Sequence, residues 1–304
     1  PIYMGFLMTE PNSISCTQLA ETYNISHDSV NRFLEREDYT PHDLYQEAIQ
    51  HIDNNKLIVS IDDTVLDKPY SQHMDLVSYF WSGKHHRSVK GINLITLYAT
   101  DQNGQNIPIN FRIYDKSEGK TKNDYFMDML SEVLSWGAKI QFITGDSWYS
   151  STGNLKTIRK YGIRFMFGID CNRKVSPEKG QWFQLRLLPN FHQGQVVWLK
   201  DFGFVQLFKT QLKEQQRFYI VHQDEDDLLS FEGFHELHSS HWKIEQYHRV
   251  IKQVCHIEKF QVRRSKLILN HIFSALMAYV EIQKNQFERI FENVYRWQKK
   301  LFRP

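Results

Sequence analysis

The sequence predicts an α/β protein with a mixed-sheet core, a β-rich insertion late in the chain and an all-α domain in front. Three observations carry this. Apolar runs of strand length at 57–61, 139–144 and 163–169 alternate with helical periodicity at 122–136 and 151–161. Residues 13–53 hold helical patterns and no strand pattern. Residues 171–230 hold strand-type runs with little helical periodicity. With 304 residues the chain can bury a substantial core and form two or three domains.

In chain order, Ser15 to Tyr23 reads as a short helix, Asn24-Ile25-Ser26 as a turn, and His27 to Leu34 as a second helix with Ser26 at its N-cap. Leu19, Ala20, Ile25, Val30, Phe33 and Leu34 would share its core. This is a helix-turn-helix pattern, in which Ser29, Asn31 and Arg32 face outward for DNA; the same pattern also suits a plain helical hairpin. Thr40-Pro41 ends it, and 41–53 reads as a linking helix. The first strand, 57–61, is a buried apolar run. Gly91 to Thr100 and Ile107 to Tyr114 are strands joined at Asp101-Gln102-Asn103-Gly104, where Asn-Gly signals a hairpin. Lys122 to Trp136 is an amphipathic helix with Phe126, Met129, Leu130 and Val133 on one face. A strand at 139–144, a helix from Ser151 to Tyr161 and a strand from Ile163 to Ile169 follow. Strand, hairpin, strand, helix, strand, helix, strand is the order of an RNase H-like (ribonuclease-H-like) core. Within the insertion, at about 171–230, strands are expected at Gln195–Lys200, Phe202–Thr210 and Arg217–His222, and Asp224 to Asp227 as an exposed turn. Helices return at 231–254 and 264–283. The tail, 284–304, is helical, with Phe287, Ile290, Phe291, Val294 and Trp297 along one side. The expected partition is 1–50 helical, 51–283 catalytic, and 284–304 a terminal helix.

Composition narrows the class. Hydrophobic residues at 41% and charged residues at 24% describe an ordinary globular chain. A net charge of +2 leaves room for basic faces beside acidic ones. Cys16, Cys171 and Cys255 are odd in number and far apart, so neither a disulfide framework nor a Cys-type zinc site is expected, and a reducing compartment fits. No apolar stretch reaches the length of a membrane span, and the first eight residues lack the Lys or Arg of a signal peptide. A start at Pro1 rather than Met reads as a processed or trimmed N-terminus.

Three acidic positions carry the chemistry. Asp62 follows the run Leu57 to Ile61, Asp146 follows Ile140 to Gly145, and Glu245 lies in the helical string His241 to Arg249. Two carboxylates at strand ends and one on a helix can hold two Mg²⁺ ions, Mn²⁺ substituting, against a phosphodiester. Such a pair activates water on one side of phosphorus and stabilises the leaving oxygen on the other. Asp63 competes with Asp62 for the first position, and the pair would equally cap a turn. Asp146 would equally cap the next helix. Glu245 and Lys252, seven apart, share a helix face, so Lys252 can meet a phosphate beside Glu245, with His241 and His248 or Arg249 as further donors. Taken alone, that string is an ordinary solvated helix.

Together these motifs resemble the DDE transposases of bacterial insertion sequences, in the group with a β-strand insertion before the last acid and a Tyr-x2-Arg-x3-Glu-x6-Lys signature. Glu245-x6-Lys252 matches its second half; His238 and His241 stand where the Tyr and Arg would be. The resemblance covers about 55–283 and includes Tyr79 to Arg87. It implies Asp62, Asp146 and Glu245 as metal ligands, and Lys252, Arg249, His241 and His238 near DNA. It implies cutting at element ends, attack of the freed 3′-OH on DNA, a homodimer pairing two ends of double-stranded DNA, and a cytoplasmic, nucleoid-associated bacterial protein. Basic segments beginning at Lys84, Lys116 and Arg263, with Arg87 in the first, can track phosphates, and Trp148, Trp182 or Trp198 can stack on an unpaired base. His235-Glu236-Leu237-His238 falls one residue short of a zinc-protease motif, and no phosphate-binding Gly-rich loop appears, so neither zinc nor a nucleotide cofactor is expected. Two rival readings are a structure-selective nuclease without strand transfer and an inactive DNA-binding regulator.

Overall fold

The computed structural model describes residues 2–10, 15–83, 85–178, 180–212, 215–223, 227–290 and 293–301. Lys84, Phe291 and Asp224 to Asp226, all singled out in the sequence, lie outside these residues.

One mixed sheet organises the chain. Its strands are β1 (Leu57–Asp67), β2 (Ser78–Ser82), β3 (Arg87–Thr100), β4 (Asn106–Ile113), β5 (Ile140–Gly145), β6 (Arg164–Ile169), β7 (Lys174–Ser176), β8 (Phe183–Gln184), β9 (Gln195–Leu199), β10 (Gly203–Leu212) and β11 (Gln215–His222). The order is β2-β3-β1-β5-β6-β11-β10-β9-β7-β8, with β4 also on β3. β3 runs antiparallel to β1 and β4, whereas β5 is parallel to both β1 and β6. That is consistent with the RNase H-like core expected from the element order. The insertion adds to the same sheet, because β11 pairs with β6 from Phe218 opposite Ile169 to His222 opposite Phe165. A free β6 edge would expose a row of unpaired backbone groups, and the insertion covers it.

The helices are α1 (Ile2–Thr9), α2 (Cys16–Tyr23), α3 (His27–Arg36), α4 (Pro41–Ala48), α5 (Lys122–Ser135), α6 (Thr152–Lys160), α7 (Phe231–Gln253), α8 (Ser265–Phe287) and α9 (Val294–Leu301). Their starts follow local chemistry. Thr40 before α4 and Thr121 before α5 each close a capping box with the Asp three residues on. Ser26 occupies the N-cap of α3 without a side-chain bond, while Ser15 caps α2 through the Gln18 amide.

Several elements differ from the expectation. α1 was not foreseen; its Tyr3, Phe6 and Leu7 are buried, and the Tyr3 hydroxyl bonds His271 Nδ1 of α8 at 2.6 Å. α3 also packs on α8, through Asn270, which donates to the Leu34 carbonyl at 2.7 Å. The front helices therefore share one apolar core with the sheet. β2 was not foreseen as a strand because its side chains alternate between exposed aromatics and buried neighbours at an edge. β1 does not end at Asp62; it runs on to Asp67 because β3 pairs with it throughout, from Ile58 to Asp67. α8 extends past 283 to Phe287.

α7 is clamped in rotation by a buried tyrosine cluster. Tyr247 stacks on Tyr98 of β3 at 4.8 Å, and the Tyr98 and Tyr279 hydroxyls meet at 2.6 Å. β1 and β3 approach closely at Gly91, where an added Cβ would stand 2.4 Å from the Leu66 carbonyl oxygen. Gly91→Ala is expected to cost about 1–3 kcal/mol by overpacking, read as a lower urea midpoint at unchanged slope.

Candidate active site

The site forms where β5 stops. Ile61 lies opposite Gly145 in the parallel β1–β5 pair, so the next residue of each, Asp62 and Asp146, leaves the paired region side by side. The β5 side of β1 is open from there on. Asp62, Asp63, Asp146, Glu245, His248 and Lys252 all line one cavity of about 980 Å³ at this opening. Gly145 and Gly168 allow the close approach: a Cβ at 145 would meet Phe167 at 2.6 Å and Ile61 at 2.7 Å, and one at 168 would stand 3.0 Å from the Ser147 amide.

Neighbouring residues on a strand face opposite ways. Asp63 turns toward α5, where it accepts from Lys122 Nζ at 2.7 Å, the Tyr149 hydroxyl at 2.9 Å and the Asn93 amide at 2.5 Å. Asp62 turns toward α7. It accepts the Asp63 N–H at 2.8 Å, and its Oδ2 stands 3.6 Å from His248 Nδ1. One ligand atom from each of Asp62, Glu245 and His248 lies within 4.8 Å of the others. Asp62 is thus the member of the pair that meets Glu245.

The electrostatics show what this arrangement lacks. Burial, and then the charges of Asp146, Asp63 and Glu245, hold the Asp62 carboxyl well above the ordinary carboxylate range. Desolvation by the cavity walls, and then the Asp63 charge, push Asp146 up to about 6, against the Trp148 N–H that bonds it at 2.9 Å. Among the described residues no Lys or Arg is ion-paired with Asp62, Asp146 or Glu245. The Lys122 charge, itself paired with Asp63, offsets only part of the rise at Asp146, so the crowded carboxylates still favour added protons or cations. Oxygen donors beside one neutral imidazole fit a divalent cation.

The other residues singled out in the sequence fall in distinct places. Lys252 borders the cavity, with its Nζ donating to the Val65 carbonyl at 2.6 Å. His241 bonds Thr144 at 3.1 Å, and Thr144 bonds Ser60 at 2.8 Å, a buried chain tying α7 to β5 and β1. Burial first, then the His238 charge, lowers His241 to about 4; His238 bonds the Tyr219 hydroxyl at 3.0 Å and is lowered too, chiefly by burial. Burial thus disfavours the protonated form of both. Arg249 is exposed, near Tyr295 of α9 rather than the cavity. Arg87 is exposed at the β2–β3 turn. Ser29 and Arg32 line a groove on α3 and bond each other at 3.3 Å, while Asn31 bonds His27 at 3.4 Å.

Two features escaped the sequence reading. His248 entered only as one of several donors, yet it sits three residues after Glu245, on the same helix face. The cavity also carries a rim of exposed aromatics, Tyr79, Trp81, Trp148 and Trp242. Of these only Trp148 was singled out for stacking. Trp198 instead packs edge-on against Phe204 at 4.8 Å and lines a different depression. No helix among the described residues is long and apolar enough to cross a membrane.

Comparison with known proteins adds the family. Among solved structures, the chain is similar to a Drosophila P element transposase strand transfer complex, at 12% identity and a TM-score of 0.28, over 53% of this chain and 35% of that one. It is also similar to Marinitoga piezophila Argonaute in complex with 5′ OH guide RNA and target DNA, at 9% identity and a TM-score of 0.25, over 70% of this chain and 28% of that one. The chain thus spans about a third of the length of these structures, and likenesses this distant carry no argument about activity. No curated protein matches. The sequence profile of the transposase DDE domain matches residues 53–280, which include Asp62, Asp146 and Glu245, and the chain belongs to that family.

Proposed function

We propose that this chain is a metal-dependent DNA transposase that cuts element ends and joins them to target DNA, with Asp62, Asp146 and Glu245 holding two Mg²⁺ or Mn²⁺ ions. The observation that supports the reading is the register of Ile61 opposite Gly145, after which Asp62 and Asp146 leave the paired strands side by side, with a ligand atom of Asp62 within 4.8 Å of Glu245 and His248. Divalent cations bound there would supply water activation and charge neutralisation at the scissile phosphate. The chain's own part is positioning. The Tyr98–Tyr247–Tyr279 cluster and the His241–Thr144–Ser60 chain hold α7 against the strands, so that Glu245 meets Asp62 without reorganisation. Lys116, Lys122, Arg217 and Lys252 line the same cavity as the acids, where they could turn to phosphate oxygens. The aromatic rim of Tyr79, Trp81, Trp148 and Trp242 offers faces for bases unpaired at the cut, with Lys122 lying 5.5 Å from the Trp148 ring.

In this reading α3 contacts duplex DNA through Arg32 and Ser29, two copies of the chain pair the two element ends, and the chain is of the bacterial insertion-sequence group. His238 and His241 in place of that group's Tyr and Arg leave Lys252 as the cation of the signature. The deciding experiment offers pre-cut DNA ends, taken from the flanks of the gene's own locus, and a target plasmid, with Mg²⁺, Mn²⁺ or EDTA. Joined products with either metal and none with EDTA are expected. Cutting without joining would replace the proposal with a structure-selective nuclease. DNA binding without either reaction would leave a DNA-binding regulator.

A further inference from the structure

Resting on the metal-site reading above, we infer that His248 is a direct cation ligand, and that its nitrogen makes the Asp62–Glu245 position selective for Mn²⁺ over Mg²⁺. The acids alone would not single out this residue; the imidazole does. His248 is 6% exposed, and its Nε2 is buried with no hydrogen-bond partner. Its Nδ1 stands 3.6 Å from Asp62 Oδ2, beyond hydrogen-bond length. No hydrogen bond therefore fixes the tautomer, and with the proton on Nε2 the Nδ1 lone pair is left for another partner.

The geometry states what that is. Two donors each about 2.1 Å from one cation lie roughly 3.0–3.5 Å apart when they are adjacent in its coordination shell. The 3.6 Å gap between His248 Nδ1 and Asp62 Oδ2 is close to that spacing, and the three ligand atoms of Asp62, Glu245 and His248 fall within 4.8 Å of one another. His248 and Glu245 are three residues apart on α7, so one helix face supplies both, while Asp62 comes from β1 across the cavity. In the tautomer with the proton on Nε2, the Nδ1 lone pair faces the Asp62 carboxylate. Two lone pairs facing one another repel unless a cation lies between them.

The chemical consequence is selectivity. Mg²⁺ takes oxygen ligands and keeps its waters, whereas imidazole nitrogen suits the transition metals. An all-carboxylate site would bind Mg²⁺ and Mn²⁺ with little to separate them. With His248 in the shell, Mn²⁺ should bind at least about tenfold more tightly than Mg²⁺, and His248→Gln should weaken Mn²⁺ about tenfold or more while changing Mg²⁺ less than about threefold.

The test uses the full chain without DNA, loaded with Mn²⁺ alone and read by pulsed electron paramagnetic resonance for nitrogen coupling to the ion. Imidazole ¹⁴N modulation is expected in the unaltered protein and its loss in His248→Gln, with circular dichroism showing the variant folded; His248→Asn serves if Gln misfolds. Bound Mn²⁺ with no ¹⁴N modulation overturns the inference and leaves the carboxylate site standing. Modulation that survives in the folded variant also overturns it, by assigning the nitrogen to another histidine. Failure to bind Mn²⁺ at all removes the inference together with the metal-site reading.

Discussion

Asp62→Asn is expected to abolish metal-dependent DNA cleavage, by on the order of 10³-fold or more, while making the metal-free protein more stable. The two effects share a cause. Asp62 is crowded by Asp146, Asp63 and Glu245 in a buried setting, and its carboxyl is held well above its ordinary range. An amide keeps the size and the bond to the Asp63 N–H but carries no charge, so it relieves the repulsion. It also removes an oxygen anion from the donor set. Without metal, urea denaturation near pH 7.5 should show a gain of about 1 kcal/mol. With Mn²⁺ the order should reverse, because only the unaltered protein gains from ligation. Binding to DNA at constant salt should change little. Retained cleavage, or a variant less stable than the parent without metal, would contradict this account of the cluster.

Acid is expected to unfold the protein well before the carboxylates would demand it. Burial, and then the Lys68 charge, lowers His271 to about 3; burial first, then the Lys252 charge, lowers His248 to about 3 as well. A histidine whose folded pKa is depressed binds fewer protons folded than unfolded once pH falls below about 6.5. Its contribution is therefore present above about 6.5 and is lost progressively down to the folded value. Each of these two loses about 1.4 kcal/mol per pH unit over that range, so about 4 kcal/mol together between pH 6.5 and 5. His238, His241 and His256, lowered chiefly by burial, act with the same sign. Asp62 and Asp146 act with the opposite sign: their raised pKa values favour the metal-free fold as pH drops, through about 6 for Asp146. Five histidines against two carboxylates leave the loss dominant. Urea unfolding at pH 7.5, 6.0 and 5.0 without metal should show stability falling at each step. A flat or rising series would mean that the buried imidazoles pick up protons in the folded state.

Much of the fold was legible because its signals are local. The helix from 122 is announced by the spacing of Phe126, Met129, Leu130 and Val133, the hairpin by Asn103-Gly104, and the core strands by apolar runs. β2 was not legible, since Tyr79 and Trp81 face outward at an edge and interrupt the pattern that burial would impose. Nor was α1, whose meaning depends on α8, some 260 residues away along the chain, and on the Tyr3–His271 contact. In the candidate site, the three acids were legible as residues that follow strand patterns or sit on a helix. That all three line one cavity was not, because it depends on strand register, with Ile61 opposite Gly145, and on the tyrosine cluster that packs α7 against β3. That Asp62 rather than Asp63 meets Glu245 is readable only once β1 is known to continue to Asp67. Alternation along an unbroken strand then sends the two side chains to opposite faces. His248 illustrates the same limit: a helix face can be read from spacing, but an imidazole left without a partner is visible only in three dimensions.

The most direct test is anomalous diffraction at the manganese edge from crystals of the full chain grown with Mn²⁺. Anomalous density is expected in the cavity where β5 ends, within coordination distance of Asp62, Asp146 and Glu245 together. Manganese found elsewhere on the protein, with those three carboxylates empty or turned apart, would contradict the metal-site reading.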